Sequence, residues 1–186
     1  MRIIGGKWRG QRLSELSKSP AVIGLRPTGA RVRETMFNIL QHGIGFEMKE
    51  SRVLDLFCGT GALGFEALSR GAKHVCFIDV EQTSLNIVNK NLNLLGIEKE
   101  ATILLRDVTK LNENPELDYN LIFLDPPYGK GLGALALGHA LERGWISKNA
   151  TVVWEERDEV CPPKELNLIK SRVVGISCLN FLKRCN

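Results

Sequence analysis

Residues 125–128, Asp-Pro-Pro-Tyr, combine groups that can hold an aromatic amine for reaction. The two prolines fix φ and remove two backbone donors, so the chain must leave the preceding strand in a stiff, extended turn. The Asp125 carboxylate and the Pro126 carbonyl then offer two acceptors beside one site, and the Tyr128 ring can stack on a base. Two acceptors can hold both N–H bonds of an exocyclic amine and aim its lone pair at a methyl group, and such positioning is worth about 7–11 kcal/mol. The alternative is a proline-rich turn with an exposed aromatic residue.

A glycine-rich loop follows the apolar residues 52–57, which predict a buried strand. Gly59, Gly61 and Gly64 match the pattern G-x-G-x-x-G, which lets backbone N–H groups approach a ligand at a helix N-terminus. Asp79 ends the next predicted strand, 20 residues after Gly59, where an acid typically receives ribose hydroxyls. Taken alone, this pattern also fits a dinucleotide-binding fold.

Asp55 shifts the balance away from a dinucleotide. It lies at the end of the first strand, four residues before the first glycine, where a carboxylate would repel a pyrophosphate but attract an ammonium group. The methionine part of S-adenosylmethionine carries such a group. Asp107 follows the third predicted strand and is a candidate acceptor for an adenine amino group. The alternatives are that Asp55 caps a turn, that Asp79 is a solvated strand end, and that Asp107 is an ordinary loop residue.

The elements that must position these groups alternate along the chain. Strands that alternate with helices indicate right-handed βαβ units, a parallel sheet and ligands at the carboxyl ends of the strands. The last two strands lack a helix between them, so they should form an antiparallel hairpin. The fold class is therefore α/β, with seven mostly parallel strands at 52–57, 73–79, 101–106, 119–124, 151–154, 166–174 and 176–183. The predicted helices cover 62–70, 81–95 and 132–143, after a first helix that runs from an N-cap at Thr28 to Gly43.

The charges of this 186-residue chain are unevenly distributed along it. Residues 1–33 hold eight basic residues and one acid, a net charge of +7, whereas residues 34–186 hold 17 basic and 20 acidic residues, a net charge of −3. This asymmetry indicates a polyanionic partner at one end. We expect residues 1–27 to form a short basic hairpin or arm outside the core, and residues 28–186 to form one domain. The residues that we assign to RNA contact are Arg2, Lys7, Trp8, Arg9, Arg12, Arg26, Arg31 and Arg33.

The two arginines of the first helix, Arg31 and Arg33, do not share a helix face, so at most one should point into the active site. The alternative for Arg31 is a side-chain pair with Glu34, three residues later.

Several classes of protein are disfavoured by composition. The longest apolar stretch, residues 131–141, is too short and too rich in glycine to span a bilayer. No apolar segment of a secretory signal is visible at the N-terminus. Five scattered cysteines without a C-x-x-C pattern argue against a disulfide framework or a zinc site. We therefore expect a cytoplasmic protein with neither a metal nor a membrane partner, and we also expect it to be a monomer.

Four ordered motifs, taken together, resemble the RsmD family of class I S-adenosylmethionine-dependent methyltransferases, which are bacterial 16S rRNA guanine-N2 methyltransferases. The motifs are RIIGGKWRG at 2–10, the basic residues of 26–34, DLFCGTGALGFEALSRGA at 55–72 and LDPPY at 124–128. The resemblance spans nearly the whole chain. It implies a Rossmann-like methyltransferase sheet and a guanine-966 type of activity on an assembled or partly assembled 30S particle.

The resemblance also implies roles for single residues. Asp125 and Pro126 would hold the guanine amine, and Tyr128 would stack on the base. The glycine loop would hold the methionine moiety of S-adenosylmethionine, the end of the second strand its ribose, and the loop after the third strand its adenine, with S-adenosylhomocysteine as product. The cofactor residues on this assignment are Asp55, Phe57, Gly59, Gly61, Asp79, Asp107 and Val108.

Three other functions stay open at this point. The tetrad alone fits a DNA adenine or cytosine amino-methyltransferase as well, although 186 residues leave no room for a separate DNA-recognition domain. A non-catalytic RNA-binding assembly factor could keep the same fold, but the intact tetrad and glycine loop argue against it. A nicotinamide-dependent oxidoreductase is disfavoured by Asp55 and by the tetrad.

Overall fold

The computed structural model describes residues 1–15, 29–114 and 118–185 and confirms the predicted α/β architecture. Strand bounds in this part of the chain are β1 Arg52–Leu56, β2 His74–Asp79, β3 Ala101–Leu105, β4 Tyr119–Leu124, β5 Ile146–Glu156, β6 Leu166–Val174 and β7 Ser177–Arg184. The α-helices are α1 Ala30–Asn38, α2 Ala62–Ser69, α3 Gln82–Leu95 and α4 Leu132–Glu142. A π-helical turn, Ile39–Gly43, continues α1 to its predicted end.

The strands form one sheet in the order β3-β2-β1-β4-β5-β7-β6. The pairs among β1 to β5 are parallel, and β7 lies antiparallel between β5 and β6. The C-terminal hairpin is therefore confirmed. Strand order reverses between β1 and β4, and a crevice at such a switch point is the usual ligand site of an open α/β sheet.

The fifth strand is longer than its apolar run predicts. Residues 151–154 were the expected strand, but β5 begins at Ile146, which pairs with Tyr119. The ladder then shifts register before Leu121 pairs with Thr151, and Asn149 has a positive φ of 61°. The exposed polar residues of this irregular segment hide the strand from a hydrophobicity pattern.

Helices cover both faces of the sheet. One face packs against α1, α2 and α3 through residues such as Phe37 and Phe65, and the other packs against α4 through Ala136 and Leu137. In the described residues, no helix is long and apolar enough to cross a membrane.

The N-terminal segment is more closely joined to the core than expected. Ile3 and Leu13 are 3% and 5% exposed and pack in the α1–α3 cluster, and the segment holds a single antiparallel bridge between Arg2 and Arg12. Isolated apolar residues among Gly and Arg carry no periodicity, so the pattern did not reveal this packing. The N-cap of α1 is Gly29, whereas the proposed cap Thr28 lies outside the described residues.

Candidate active site

Acidic side chains lie at the carboxyl ends of four adjacent strands, β2, β1, β4 and β5. Four apolar residues of these strands pack into the core on the α1–α3 face: Val53, Phe77, Phe123 and Val153. Because side chains on a strand alternate between faces, the residues two positions further along face the same side. Those residues are Asp55, Asp79, Asp125 and Glu155.

Strand register places Asp79, Asp125 and Glu155 at one level. The residues directly before them are aligned across the sheet through Leu56 of β1 and its pairings. Asp125 directly follows β4, Glu155 lies near the end of the neighbouring β5, and the backbones of paired strands are about 4.8 Å apart. Asp55 lies one pleat deeper in the sheet. Three of these four acids were predicted for the site; Glu155 was not.

Asp55 is buried, with 2% of its surface exposed, and its Oδ2 accepts a hydrogen bond from the Gly64 backbone at 3.0 Å. Burial raises the pKa of Asp55 to about 8, and the negative charges of Asp125 and Asp79 add to that effect, while the Gly64 hydrogen bond opposes it. A cation placed among these carboxylates would relieve the repulsion. This cluster of acids therefore favours a ligand with a positively charged group.

The conformation of the glycine loop is fixed by a hydrogen bond to Asp79 and by tight packing. Asp79 Oδ2 accepts from the Gly59 backbone at 2.7 Å, and Gly61, the N-cap of α2, has a φ of 81°. A Cβ on Gly61 would lie 2.8 Å from the Phe65 ring, so this position requires glycine. The loop is therefore a rigid turn, and the carboxylate assigned to ribose also shapes it.

The tetrad presents its groups toward the same edge. Asp125 and Tyr128 are half-buried, and Pro126 is buried. The Tyr128 hydroxyl donates to Glu155 Oε1 at 2.8 Å and lies 2.9 Å from Ser177 Oγ, and Ser177 also donates to Glu155 Oε1, at 2.7 Å. Burial, together with the charges of Glu155 and Asp125, raises the pKa of Tyr128. The phenol is therefore neutral at physiological pH.

Sequence reasoning missed Glu155 and Ser177. A signal existed for Glu155, since it directly follows the apolar run Thr151–Trp154 at a strand end. Ser177 offered none, because its contact with Tyr128 joins residues 49 positions apart.

Asp107 serves as the N-cap of the short turn Val108–Lys110. Its Oδ1 accepts from the Thr109 backbone at 2.9 Å and from the Thr109 hydroxyl at 2.7 Å, and these hydrogen bonds lower its pKa. Val108 is buried. A contact between this turn and adenine stays a prediction.

The N-terminal segment is fixed to α2 by a buried acid. The Glu66 carboxylate accepts from the Ile4 and Gly5 backbones at 2.9 and 2.8 Å and from Arg70 Nε at 2.9 Å. A Cβ on Gly6 would overlap the Ser69 carbonyl. Residues 1–15 therefore form a loop docked on the core, called the docked loop below, rather than a free arm.

The basic residues assigned to RNA differ in exposure. Arg31 is exposed, as are four cations of the docked loop: Arg2, Lys7, Arg9 and Arg12. Trp8 is half-buried against the core, with Lys7 Nζ 4.9 Å from the centre of its ring. Arg33 is only 4% exposed and its Nη2 donates to the Arg2 carbonyl at 2.9 Å, so it holds the loop from within. Arg26 lies outside the described residues.

Comparison with solved structures defines the class of protein. The Escherichia coli methyltransferase candidate yhhF has a TM-score of 0.81 and 28% identity, covering 99% of this chain and 97% of that one. A methylase candidate of Haemophilus influenzae has a TM-score of 0.80 and 32% identity, covering 100% of this chain and 98% of that one. The fold, with its acidic site at the switch point, is that of a class I methyltransferase.

Sequence comparison narrows the class to a family. A family model described as conserved hypothetical protein 95 matches residues 1–183. A relative named ribosomal RNA small subunit methyltransferase D in Haemophilus influenzae is 38% identical over 182 residues, 95% of this chain and 90% of that protein. The Escherichia coli protein of the same name is 34% identical over 178 residues, 94% of this chain and 85% of that protein. The chain belongs to this family, the RsmD family that its motifs resemble.

Proposed function

We propose that this protein transfers a methyl group from S-adenosylmethionine to the exocyclic N2 amine of a guanine in 16S rRNA. The observation that carries the proposal is the position of Asp125 and Tyr128 beside the buried Asp55 and the glycine loop, at one switch point of the sheet. A cluster of acids that favours a cation, and an acceptor pair next to an aromatic ring, suit a sulfonium donor and an aromatic amine.

The cofactor would be held by its charge and by its hydroxyls. When bound, S-adenosylmethionine supplies an electrophilic methyl group on a positively charged sulfur. The cationic methionine moiety beside the Phe57–Gly61 loop would favour the ionised form of Asp55, whose pKa burial raises in the free protein. Each Asp79 oxygen already accepts one hydrogen bond and can accept a second one from a ribose hydroxyl. Asp107 and the Val108 backbone would receive the adenine.

The amine is activated by position. The Asp125 carboxylate and the Pro126 carbonyl accept its two N–H bonds, which favours a pyramidal nitrogen whose lone pair points at the methyl carbon. Tyr128 stacks on the base and fixes its plane. The new nitrogen–carbon bond would replace the carbon–sulfur bond of the bound donor, and the methylated nitrogen would then lose one of its protons to water. Because a sulfonium is a good leaving group, orientation is the main contribution of the protein.

The RNA would bind along the docked loop, whose exposed cations contact phosphates. The target guanine must leave its stack to reach Asp125, as in other enzymes that modify bases. The names of the relatives support small-subunit rRNA as the substrate, and the RsmD resemblance supports the guanine-966 type. We propose the same division of the chain as the sequence suggested, with RNA contact in residues 1–27 and catalysis in 28–186.

A protein-bearing 30S intermediate would complete the recognition, because a monomer with one short basic loop has little surface for choosing a single guanine. The test is methyl transfer from labelled S-adenosylmethionine to naked 16S rRNA and to 30S particles from cells that lack the enzyme. We expect faster transfer to the particles, inhibition by S-adenosylhomocysteine and no effect of NAD. Equal rates on both substrates would overturn the 30S context, and transfer to DNA but not to rRNA would overturn the substrate.

A further inference from the structure

The hydroxyl of Tyr128 is held by two residues that no motif includes. Tyr128 Oη, Ser177 Oγ and Glu155 Oε1 form a triangle with sides of 2.7, 2.8 and 2.9 Å. Glu155 belongs to β5, and Ser177 begins β7. The triangle therefore ties the loop after β4 to the two strands beside it.

This triangle is costly as a purely structural device. Glu155 and Ser177 are 4% and 5% exposed, and Glu155 Oε2 is inaccessible and has no hydrogen-bond partner in the described part of the chain. A buried carboxylate with an unsatisfied oxygen is destabilising, and apolar residues of similar volume often stabilise such a site. An account based on fold stability alone does not explain an acid at this position.

The location of the triangle indicates what the acid does. Asp125 and Glu155 each directly follow the last pair of the β4–β5 ladder, Leu124 with Trp154, and Tyr128 is half-buried, so part of this residue is accessible. Two prolines restrain the backbone before Tyr128, and the triangle restrains the far end of its side chain. The ring is thus fixed at both ends, next to the carboxylate that holds the amine.

We propose that Glu155, assisted by Ser177, is a positioning residue for methyl transfer, and this inference rests on the proposed function. It holds the Tyr128 hydroxyl so that the ring offers one fixed stacking face to the base. Glu155 itself does not touch the base. The hydroxyl is therefore the functional difference between tyrosine and phenylalanine at this position of the tetrad.

The variants Tyr128→Phe and Glu155→Leu each remove one partner of the hydrogen bond between these two residues. We expect each to lower kcat on RNA by about 10- to 100-fold, because small misplacements of a reacting group have effects of this size. Affinity for S-adenosylhomocysteine should stay within twofold of the wild type. Glu155→Gln keeps an acceptor oxygen and should restore most of kcat, whereas a role that depends on the negative charge would not be rescued.

A double mutant separates positioning from direct contact. If Glu155 acts through the hydroxyl, Tyr128→Phe with Glu155→Leu should be no slower than Tyr128→Phe alone. Multiplied effects would mean that Glu155 acts on the base by itself and would overturn the inference. Ser51→Ala is a matched control, since this buried serine donates to the Met48 carbonyl at 2.7 Å at the opposite end of the sheet. It should alter stability without altering kcat.

A measurement without RNA tests directly whether the triangle restrains the Tyr128 ring. The chain has two tyrosines, Tyr119 and Tyr128, and Tyr119 stacks on Trp145 away from the triangle. In a protein with ¹³C-labelled tyrosine rings, Glu155→Leu should move and sharpen the Tyr128 resonances and leave those of Tyr119 unchanged. Unchanged Tyr128 resonances would overturn the claim that Glu155 restrains this ring, even if methyl transfer is normal. If the resonances show that Tyr128 is restrained but the wild-type protein transfers no methyl group, the proposed function is overturned, and the catalytic part of this inference with it.

Discussion

The Gly59 backbone donates to the Asp79 carboxylate at 2.7 Å, so a side chain at the end of β2 sets the shape of the loop that follows β1. The second Asp79 oxygen accepts from the Glu81 backbone at 2.9 Å and holds the entry to α3. One residue thus joins the two loops that flank the proposed ribose position. Its loss should affect both the loop and the ligand.

We predict that Asp79→Ala weakens binding of S-adenosylmethionine by about 10- to 100-fold, because a hydrogen bond to a charged group contributes about 1.5–3 kcal/mol. Asp79→Asn keeps one acceptor and should fall in between. Calorimetric titration measures both affinities, with Glu98→Ala as a control for an exposed acid far from the site. Unchanged affinity in Asp79→Ala would remove this residue from the ribose site.

Cofactor binding should depend on pH through Asp55. Its pKa is raised from an ordinary value of 3.8 to about 8, and a cation favours the ionised form. Affinity for S-adenosylmethionine should therefore rise as pH increases toward about 8 and then level off. Asp55→Asn should lack this rise. The titration of the ligand amine contributes to both profiles, so the profile of the variant is subtracted from that of the wild type. Parallel profiles for the two proteins would disprove the role of the carboxylate.

The same group should make the free protein less stable at high pH. Between 3.8 and about 8, the folded state holds a proton on Asp55 that the unfolded state releases, so the free energy of unfolding falls as pH rises through this window. Asp55→Asn should show a shallower fall. Thermal denaturation from pH 5 to pH 9 measures the difference, and a steeper fall in the variant would contradict the buried, raised-pKa state.

RNA binding should depend on salt through the docked loop. Lys7→Ala and Arg9→Ala should weaken RNA binding, and each should reduce the slope of log affinity against log salt by about one, as expected for a lost phosphate contact. Lys99→Ala removes an exposed charge from the turn before β3 and should leave the slope unchanged. Equal slopes in all three variants would place the RNA elsewhere.

The docking of the loop should matter separately from its charge. Glu66→Ala removes the acceptor of three hydrogen bonds and should lower the free energy of unfolding by about 3 kcal/mol, as breaking a buried ion pair does. RNA affinity should fall because the loop loses its fixed position, even though the loss of a negative charge alone would favour RNA binding. Glu50→Ala, which removes an exposed acid paired with Lys73, should leave RNA affinity unchanged or higher. Higher RNA affinity in Glu66→Ala would show that a rigid loop is unnecessary.

Local chemistry could be predicted from the sequence, and contacts between distant segments could not. The roles of Gly61 and Asp125 could be predicted because each lies in a short motif of adjacent residues. The periodicity of the helices and strands was sufficient to predict the sheet. The contact between Ser177 and Tyr128 depends on β7 inserting beside β5, which no local pattern specifies. For the same reason Ile3 was expected outside the core, and Arg33 was expected at the surface.

The most direct measurement is nucleoside mass spectrometry of 16S rRNA, from cells that lack the enzyme, after incubation with S-adenosylmethionine and either the wild type or Asp125→Ala. We expect N2-methylguanosine with the wild type, none with the variant, and cofactor affinities within about threefold of each other, since Asp125 acts on the amine through position. A methylated adenine or cytosine, or N2-methylguanosine formed by Asp125→Ala at a near wild-type rate, would contradict it.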